Sequence, residues 1–429
     1  MNSYDFDKTI ARSGTGCVKW DEPYPDEQHA YKGKDSTASE LIPLWVADMD
    51  FAVAPAIHEA VRRRAHHPVF GYTHVGDDYY EAIISWFHRR HQWTIRRDDI
   101  LYTTGVVPAM SVAIKALTMP GEKVVILSPD YNCFFSSVRN NGCEVLESPL
   151  ISHPTPLPPH PSNLSSHPSP LTPHHFEINW SDFESCCADP KTTVFLLCNP
   201  HNPTGRVWTR EELQRMNAIC LRHGVRVVSD EIHCELVMPG HRFQPFAAVS
   251  EECRNNSVVL NSPSKSFNTA GLMTANIICP DAEVRRRLER AININEVCDL
   301  NPFGPVALIA AYNESEDWID ALNEYIHANY CELCRFFAEQ LPRCRVTTLE
   351  GTYLTWVDVS ALLPLRTADG HEIGNVKQLC DHIMHETNVW VNPGTMYGPQ
   401  TGEGFIRINI ACPRKQMREG LTRMASVLA

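Results

Sequence analysis

Residues 192–233 read TTVFLLCNPHNPTGRVWTREELQRMNAICLRHGVRVVSDEIH, and this stretch decides the fold class. It begins with an apolar run that predicts a buried strand and continues into a segment with helical periodicity. Thr209, with Glu212 three residues later, has the pattern of a capping box and marks the helix start. A second apolar run, VRVVSD, follows the helix. Apolar runs separated by a helix are typical of a parallel sheet covered on both faces.

The same alternation extends along the chain in both directions. VPAMSVAIKALT, from Val107, predicts a helix, and KVVILSP, SVVLNS and TANIICP predict further strands. We therefore predict a doubly wound, mostly parallel α/β domain over residues 51–300. After Pro305 come long helices and the strand-like runs TYLTWVDVS and GFIRINIA, which predict a smaller α+β domain over residues 301–429. Residues 1–50 are expected to form an N-terminal segment that joins the smaller domain.

One segment differs in kind from the rest of the chain. Residues 152–175 read SHPTPLPPHPSNLSSHPSPLTPHH, with eight prolines, five histidines and no formal charge. Proline removes backbone donors and is incompatible with helix interiors and central strands. We predict an extended or mobile surface loop inserted within the large domain.

Composition excludes several classes of protein. The chain has 429 residues, with 38 Lys and Arg against 51 Asp and Glu, giving a net charge of -13. Nucleic acids and anionic membranes attract basic faces, so neither is the expected partner. No apolar run is long enough to span a bilayer, and the N-terminus lacks the apolar core of a signal peptide. We expect a cytoplasmic protein whose 16 cysteines are reduced and buried.

A structural zinc site is not expected. Cys331 and Cys334 form the only Cys-x-x-Cys pair, and no second such pair or histidine cluster lies at ligand spacing. The surrounding IHANYCELCRFFAEQL has helical periodicity, so this pair is interpreted as helix packing rather than as metal ligands.

Polar residues follow the predicted strands where each strand ends, although no Walker loop or dinucleotide fingerprint follows any of them. The turn Thr104-Gly105-Val106-Val107-Pro108 precedes a helix and could present free N–H groups to a phosphate, although a plain turn is an alternative. Asn202 lies in HNPTG, Asp230 ends VRVVSD, and Lys265 lies in SPSKSFN after SVVLNS. Ligands of open α/β sheets bind at the carboxyl ends of the strands. These residues therefore predict a ligand site at that edge.

The segments HNPTG, SDEIH and SPSKSFN resemble those of the fold-type I pyridoxal-phosphate enzymes, the aspartate aminotransferase superfamily. The spacings from Asn202 to Asp230 and from Asp230 to Lys265 match that superfamily. LWVADMDF, FGYTHVGD, GVVPAMSVAI and SDEIH are similar to the MalY/PatB branch of cystathionine β-lyase-like carbon–sulfur lyases. The resemblance covers nearly the whole chain and implies a homodimer with a shared active site.

The resemblance also implies roles toward the cofactor. Lys265 would hold pyridoxal phosphate as a Schiff base and later move the α-proton. Asp230 would pair with the pyridinium nitrogen, Asn202 and His233 would meet the phenolate oxygen, and Tyr131 would stack on the ring.

Further residues complete the implied site. Gly105 and Val106 with Ser262 would hold the phosphate, and Tyr72 would reach it from the neighbouring subunit. Arg407, in GFIRINIA, would bind the substrate carboxylate through a bidentate fork.

Four of these assignments have structural alternatives. Arg407 could be a salt-bridging arginine at a strand edge, Tyr131 could be part of the core, and His233 and Tyr72 could be structural residues. A non-catalytic scaffold on the same fold is a further alternative, but a buried lysine near a carboxylate argues against it.

The sequence leaves the reaction open between β-elimination and transamination, and the MalY/PatB resemblance favours β-elimination. A carbon–sulfur β-lyase acting on cysteine S-conjugates is therefore the predicted function, with an aminotransferase as the alternative. For the substrate, the resemblance extends to fungal lyases of gliotoxin-like epipolythiodioxopiperazine pathways. A cystathionine β-lyase of methionine metabolism is the other candidate.

Overall fold

The computed structural model describes residues 4–25, 41–154, 174–367 and 370–428. Its strands, in chain order, are β1 (Ile42–Pro43), β2 (Ile100–Thr103), β3 (Lys123–Ile126), β4 (Glu144–Glu147), β5 (Ile151–Pro154), β6 (His174–Glu177), β7 (Thr192–Cys198), β8 (Arg226–Asp230), β9 (Ser257–Asn261), β10 (Ala275–Ile278), β11 (Arg345–Val346), β12 (Leu354–Asp358), β13 (Leu365–Arg366), β14 (Glu372–Ile373), β15 (Val389–Trp390), β16 (Asn392–Pro393) and β17 (Phe405–Asn409).

The α-helices, also in chain order, are α1 (Val18–Asp21), α2 (Pro55–His66), α3 (Asp77–His91), α4 (Val106–Leu117), α5 (Asn132–Asn140), α6 (Trp180–Ala188), α7 (Arg210–Arg222), α8 (Glu251–Asn255), α9 (Ala282–Ile294), α10 (Gly304–Glu314), α11 (Glu316–Gln340), α12 (Val376–Thr387) and α13 (Arg414–Leu428). The capping box predicted at the start of α7 is formed, because the Thr209 hydroxyl and the Glu212 carboxylate each accept a backbone N–H.

The largest sheet has seven strands in the order β2-β10-β9-β8-β7-β3-β4. All neighbours in it are parallel except β10, which runs antiparallel to both β2 and β9. The prediction of a doubly wound, mostly parallel sheet is therefore confirmed.

Both faces of this sheet are buried under helices. Along β7, Val194 and Leu196 pack into the apolar cluster that contains α4 and α9, whereas Phe195 and Leu197 pack with α6 and α7. Successive side chains of a strand point to opposite faces, so a doubly covered strand must be apolar throughout. This burial explains the continuous apolar runs in the sequence.

A second sheet is antiparallel, with the order β11-β12-β17-β16. Helices α11 and α12 both contact α13 beside it. The short strand β1 pairs in parallel with β15, joining Ile42 to Val389. The division into domains at residues 50 and 300 stays a prediction.

The predicted insertion loop is too long at both ends. Strands β5 and β6 form an antiparallel ribbon in which Ser152 pairs with Phe176 and Pro154 with His174. Proline is tolerated in edge strands, and a two-stranded ribbon consists only of edges. Residues 155–173 of the predicted loop lie outside the described residues.

The cysteines and the helices bear on two further expectations. All 16 cysteines are free and most are buried. Cys331 on α11 is exposed, so the interpretation of Cys331 and Cys334 as helix packing is wrong for Cys331.

The helices in the described ranges include none that is both long and apolar enough to cross a bilayer.

Candidate active site

Asp230 is a buried carboxylate at the last position of β8. One oxygen accepts the backbone N–H of Ile232 at 3.1 Å, and Asp230 forms no ion pair with any described residue. Burial raises the pKa of Asp230 to about 7, and the charge of Lys265 partly opposes this shift. A carboxylate in this setting favours a cationic or proton-donating ligand.

Lys265 lies in the loop after β9, on the same edge of the sheet. Its Nζ donates to the backbone oxygen of Ala47 at 2.6 Å. Burial lowers the pKa of Lys265, while Asp48 and Asp230 act in the opposite direction. The lowered pKa increases the fraction of neutral, nucleophilic amine near pH 7.

Asn202 lies in the loop after β7. The glycine of this loop, Gly205, has φ +75°, and a Cβ there would lie 2.8 Å from the side chain of Leu349. The Gly205 oxygen also accepts the backbone N–H groups of Glu350 and Gly351, each at 2.9 Å. The glycine thus lets the Asn202 loop pack closely against the loop before β12.

Arg407, on β17, meets Asn202 across the site. Its Nη1 donates to Asn202 Oδ1 at 3.2 Å, and its Nη2 donates to the Trp45 oxygen at 2.8 Å. The guanidinium lies 4.6 Å from the ring centre of Tyr397. Arg407 is 3% exposed, its Nε has no partner in the described part of the chain, and it pairs with no described carboxylate. Arg407 is therefore not a salt-bridging arginine within these residues.

His233 is a neutral, buried imidazole beside these groups. Burial, with the charges of Lys265 and Arg407, lowers the pKa of His233 to about 3. Its Nδ1 finds no hydrogen-bond partner among the described residues, and its ring lies edge-on to Tyr353 at 6.0 Å. A buried polar atom without a partner is costly, so this nitrogen is available for a ligand.

Tyr131 immediately precedes α5. It is half-buried and lies edge-on to Phe134, with 6.3 Å between the ring centres. Burial raises the pKa of Tyr131 well above its usual range, and the charges of Arg407 and Asp230 also act on it. Tyr131 thus lies beside the same groups and also packs on the apolar cluster of α4.

Two of the residues predicted to hold the phosphate, Gly105 and Val106, lie at the start of α4. Gly105 precedes the helix in an extended conformation, and α4 begins at Val106. The first N–H groups of a helix lack intrahelical acceptors. Ser262 lies after β9, where its hydroxyl donates to the Thr274 oxygen at 2.7 Å and accepts Ser264 N–H at 3.1 Å, and its phosphate role stays a prediction.

Tyr72 does not join the site within one chain. Its side chain is 96% exposed, so the single chain gives it almost no packing. The other predicted residues are brought to the carboxyl edge of the large sheet or face it from β17.

Sequence reasoning missed two residues beside these groups, Cys133 and Tyr353. Cys133, on α5, acts electrostatically on Lys265 and Tyr397, and burial raises the pKa of its thiol. Tyr353 is wholly buried and donates to the Ala47 oxygen at 2.9 Å. The sequence could have pointed to Cys133 as a site residue, since it lies two residues after Tyr131, but it gave no such indication for Tyr353.

Comparison with known proteins identifies relatives over the full length. The chain is 36% identical to cystathionine beta-lyase PatB of Bacillus subtilis (strain 168), covering 99% of this chain and 100% of that protein. It is 31% identical to protein MalY of Escherichia coli (strain K12), covering 99% of each.

A solved structure, the PLP-bound C-S lyase from Staphylococcus hominis complexed with the inhibitor L-cycloserine, matches with a TM-score of 0.85. It is 30% identical and covers 100% of this chain and 98% of that one. The family model "Aminotransferase class I and II" matches residues 39–424. The resemblance to the MalY/PatB branch is thereby confirmed, and the chain belongs to the class I and II aminotransferase family.

Proposed function

We propose that the protein is a pyridoxal-phosphate-dependent carbon–sulfur β-lyase that cleaves cysteine S-conjugates to a thiol, pyruvate and ammonia. One observation carries the proposal. Lys265, a nucleophilic lysine, and Asp230, a carboxylate with no ion-pair partner among the described residues, are both desolvated within electrostatic range of each other. The lyase prediction is confirmed at the level of reaction class by the relatives named cystathionine beta-lyase and C-S lyase.

The residues of this chain fit the cofactor. A protonated ring nitrogen would give Asp230 the positive partner that the described residues do not supply. Around the ring, His233 offers an Nδ1 that no described residue contacts by a hydrogen bond, and Asn202 offers an amide whose oxygen accepts from Arg407. The space beside Gly105 at the start of α4 is open, because the single described residue that a Cβ there would contact within 4 Å is Pro108.

Other residues would hold the remaining parts of the cofactor. Tyr131 is proposed to stack on the ring, and the N–H groups at Val106 to bind the phosphate. Ser262 would contribute only after its hydroxyl turns away from the Thr274 oxygen.

The chemistry divides between the cofactor and the chain. Pyridoxal phosphate, when bound, supplies a ring that delocalises the electron pair left on the substrate's α-carbon. Lys265 takes the α-proton, for which it must be neutral, and burial favours that form. The β-carbon–sulfur bond then breaks with its electron pair on sulfur, and a thiolate is a competent leaving group that takes up a proton. The aminoacrylate that remains is released and reacts with one water to give pyruvate and ammonia.

Arg407 is proposed to orient the substrate through its α-carboxylate. A bound carboxylate would accept from the guanidinium, whose Nε has no partner in the described part of the chain. The guanidinium also lies over the Tyr397 ring, 4.6 Å from its centre, which restricts its movement. The substrate class, a cysteine conjugate, is part of the proposal, and the assignment to gliotoxin-like secondary metabolism stays a prediction.

A homodimer would explain the exposure of Tyr72. A tyrosine that is 96% exposed in one chain gains a role if it enters the partner's site. We propose that Tyr72 crosses the interface and contacts the phosphate there. The cytoplasmic location and the absence of nucleic-acid and membrane partners remain predictions.

The test is an incubation of the protein with pyridoxal phosphate and an S-substituted cysteine, without a keto acid. Pyruvate and free thiol are measured together, with the Lys265→Ala protein alongside. Both products from the wild type alone support the proposal. Neither product, with amino-group transfer once a keto acid is added, would assign the chain to the aminotransferases.

A further inference from the structure

We propose that Tyr353 is a positioning residue that sets how firmly the chain holds the free amine of Lys265, acting through the backbone oxygen of Ala47. The inference rests on the proposed function, in which that amine must capture the cofactor and later take a proton.

The two side chains share one acceptor. Tyr353 Oη donates to the Ala47 oxygen at 2.9 Å, and Lys265 Nζ donates to the same oxygen at 2.6 Å. A carbonyl oxygen has two lone pairs, so it accommodates both donors. Both hydrogen bonds polarise the same carbonyl oxygen, so each one makes the other weaker. The hydroxyl of Tyr353 therefore weakens the hold of Ala47 on the ammonium form of Lys265.

The backbone before Tyr353 is independent evidence that its position matters. Thr352 has φ +70°, a region that a β-branched residue rarely adopts. Its N–H donates to the Leu236 oxygen at 2.7 Å, and its hydroxyl accepts Leu354 N–H at 3.1 Å, which hold the conformation. Strain of this kind persists only where the surroundings enforce it, and it clusters at functional sites.

The shared acceptor is itself fixed in place. Asn409 Nδ2 donates to the oxygens of Val46 and Asp48, at 2.5 and 2.7 Å, on either side of Ala47. The Ala47 oxygen therefore cannot move far to follow one donor or the other. Removing the Tyr353 hydroxyl should change the strength of the Lys265 contact rather than its location.

Several charged or titratable groups act on Lys265 and would be unchanged by a substitution at Tyr353: Asp48, Asp230, Cys133, Arg407 and His233. Without the Tyr353 hydroxyl, the Ala47 oxygen keeps only the hydrogen bond from Lys265. That hydrogen bond becomes stronger and stabilises the charged amine. The pKa of Lys265 should then rise from its lowered value, and the neutral fraction near pH 7 should fall.

The test measures the capture of pyridoxal phosphate by cofactor-free protein as a function of pH, followed by the absorbance of the bound cofactor. For Tyr353→Phe we expect the midpoint of the capture rate to shift upward by about 0.5 pH unit, which is about threefold slower capture below the midpoint. Tyr330→Phe is the matched control, because that hydroxyl also donates to a backbone oxygen, that of Thr347 at 3.0 Å. Its midpoint should equal that of the wild type.

The possible outcomes separate the two proposals. An unshifted or lowered midpoint for Tyr353→Phe would overturn the role of Tyr353, whereas wild-type protein that captures no cofactor would overturn the proposed function. Should Tyr353→Phe fail to fold, Tyr353→Met also removes the hydroxyl and has a flexible apolar side chain. The same upward shift in the midpoint of cofactor capture is expected for it.

Discussion

Replacing Asp230 with Asn should stabilise the cofactor-free protein while weakening its binding of pyridoxal phosphate. The substitution removes the charge of a buried carboxylate but keeps an oxygen for the N–H of Ile232, which Asp230 accepts at 3.1 Å. A residue retained for cofactor binding at the expense of stability should behave in this way.

The size of the effect follows from the pKa of Asp230. Burial raises this pKa to about 7, whereas an aspartate in the unfolded chain has a pKa of about 4. Between these values the folded state binds more protons than the unfolded state, so the free energy of unfolding falls as pH rises. At about 1.4 kcal/mol per pKa unit, the cost is about 4 kcal/mol at pH 8 and about 1.5 kcal/mol at pH 5. Asp230→Asn should therefore gain about 2–3 kcal/mol more at pH 8 than at pH 5.

Urea unfolding of the cofactor-free proteins at the two pH values measures this difference. Glu231→Gln is the matched control, because Glu231 is also buried and burial raises its pKa to about 8. Its carboxylate accepts from Ser229 Oγ at 2.9 Å and from Phe246 N–H at 2.8 Å. Both substitutions should stabilise the protein more at pH 8 than at pH 5. Only Asp230→Asn should weaken cofactor binding, by about 10- to 100-fold for a lost charged hydrogen bond. Equal stabilisation at both pH values would refute the pKa reasoning, and unchanged cofactor binding would refute the role of Asp230.

Three further predictions concern the substrate, the interface and the insertion. Arg407→Lys should lower kcat/KM for an S-substituted cysteine about 100-fold, because lysine cannot form the bidentate fork. The absorbance spectrum of the bound cofactor should be unchanged, and a loss below threefold would contradict the carboxylate role. Verified heterodimers of Tyr72→Phe and Lys265→Ala subunits should recover activity that both homodimers lack, and no recovery would exclude a Tyr72 that crosses the interface. Replacing residues 155–173 with Asn-Gly, at the paired ends of the β5–β6 ribbon, should change Tm by less than about 2 °C; a fall above about 5 °C would show that the segment supports the fold.

The sheet was predictable because its evidence is local. Apolar runs, the Thr209 capping box and polar residues at strand ends need no tertiary information. The edge of a parallel sheet then brings Asn202, Asp230 and Lys265 together, since strands that run in parallel end on the same side.

The direction of β10 was not encoded in its composition. Its residues are apolar and buried like those of its parallel neighbours. A parallel return needs a crossover, usually a helix. The described chain between Asn261 and Ala275 contains only one short 3-10 turn, Ala270–Leu272, so β10 runs antiparallel.

The contacts of the site itself could not be derived from sequence patterns. Ala47 and Lys265 are 218 residues apart, and Tyr353 and Ala47 are 306 apart, with no spacing rule to join them. The family resemblance implied a phosphate role for Ser262, but sequence patterns gave no sign that its hydroxyl donates to the Thr274 oxygen. Hydrogen bonds of this kind can be assigned only once the folded backbone is known.

The central claim is that a cysteine conjugate undergoes elimination rather than transamination. The most direct test supplies an S-substituted cysteine and 2-oxoglutarate together to the pyridoxal-phosphate-loaded protein and measures thiol, pyruvate and glutamate in one sample. We predict thiol and pyruvate in equal amounts with no glutamate. Glutamate formed without free thiol would contradict the claim and identify the reaction as transamination.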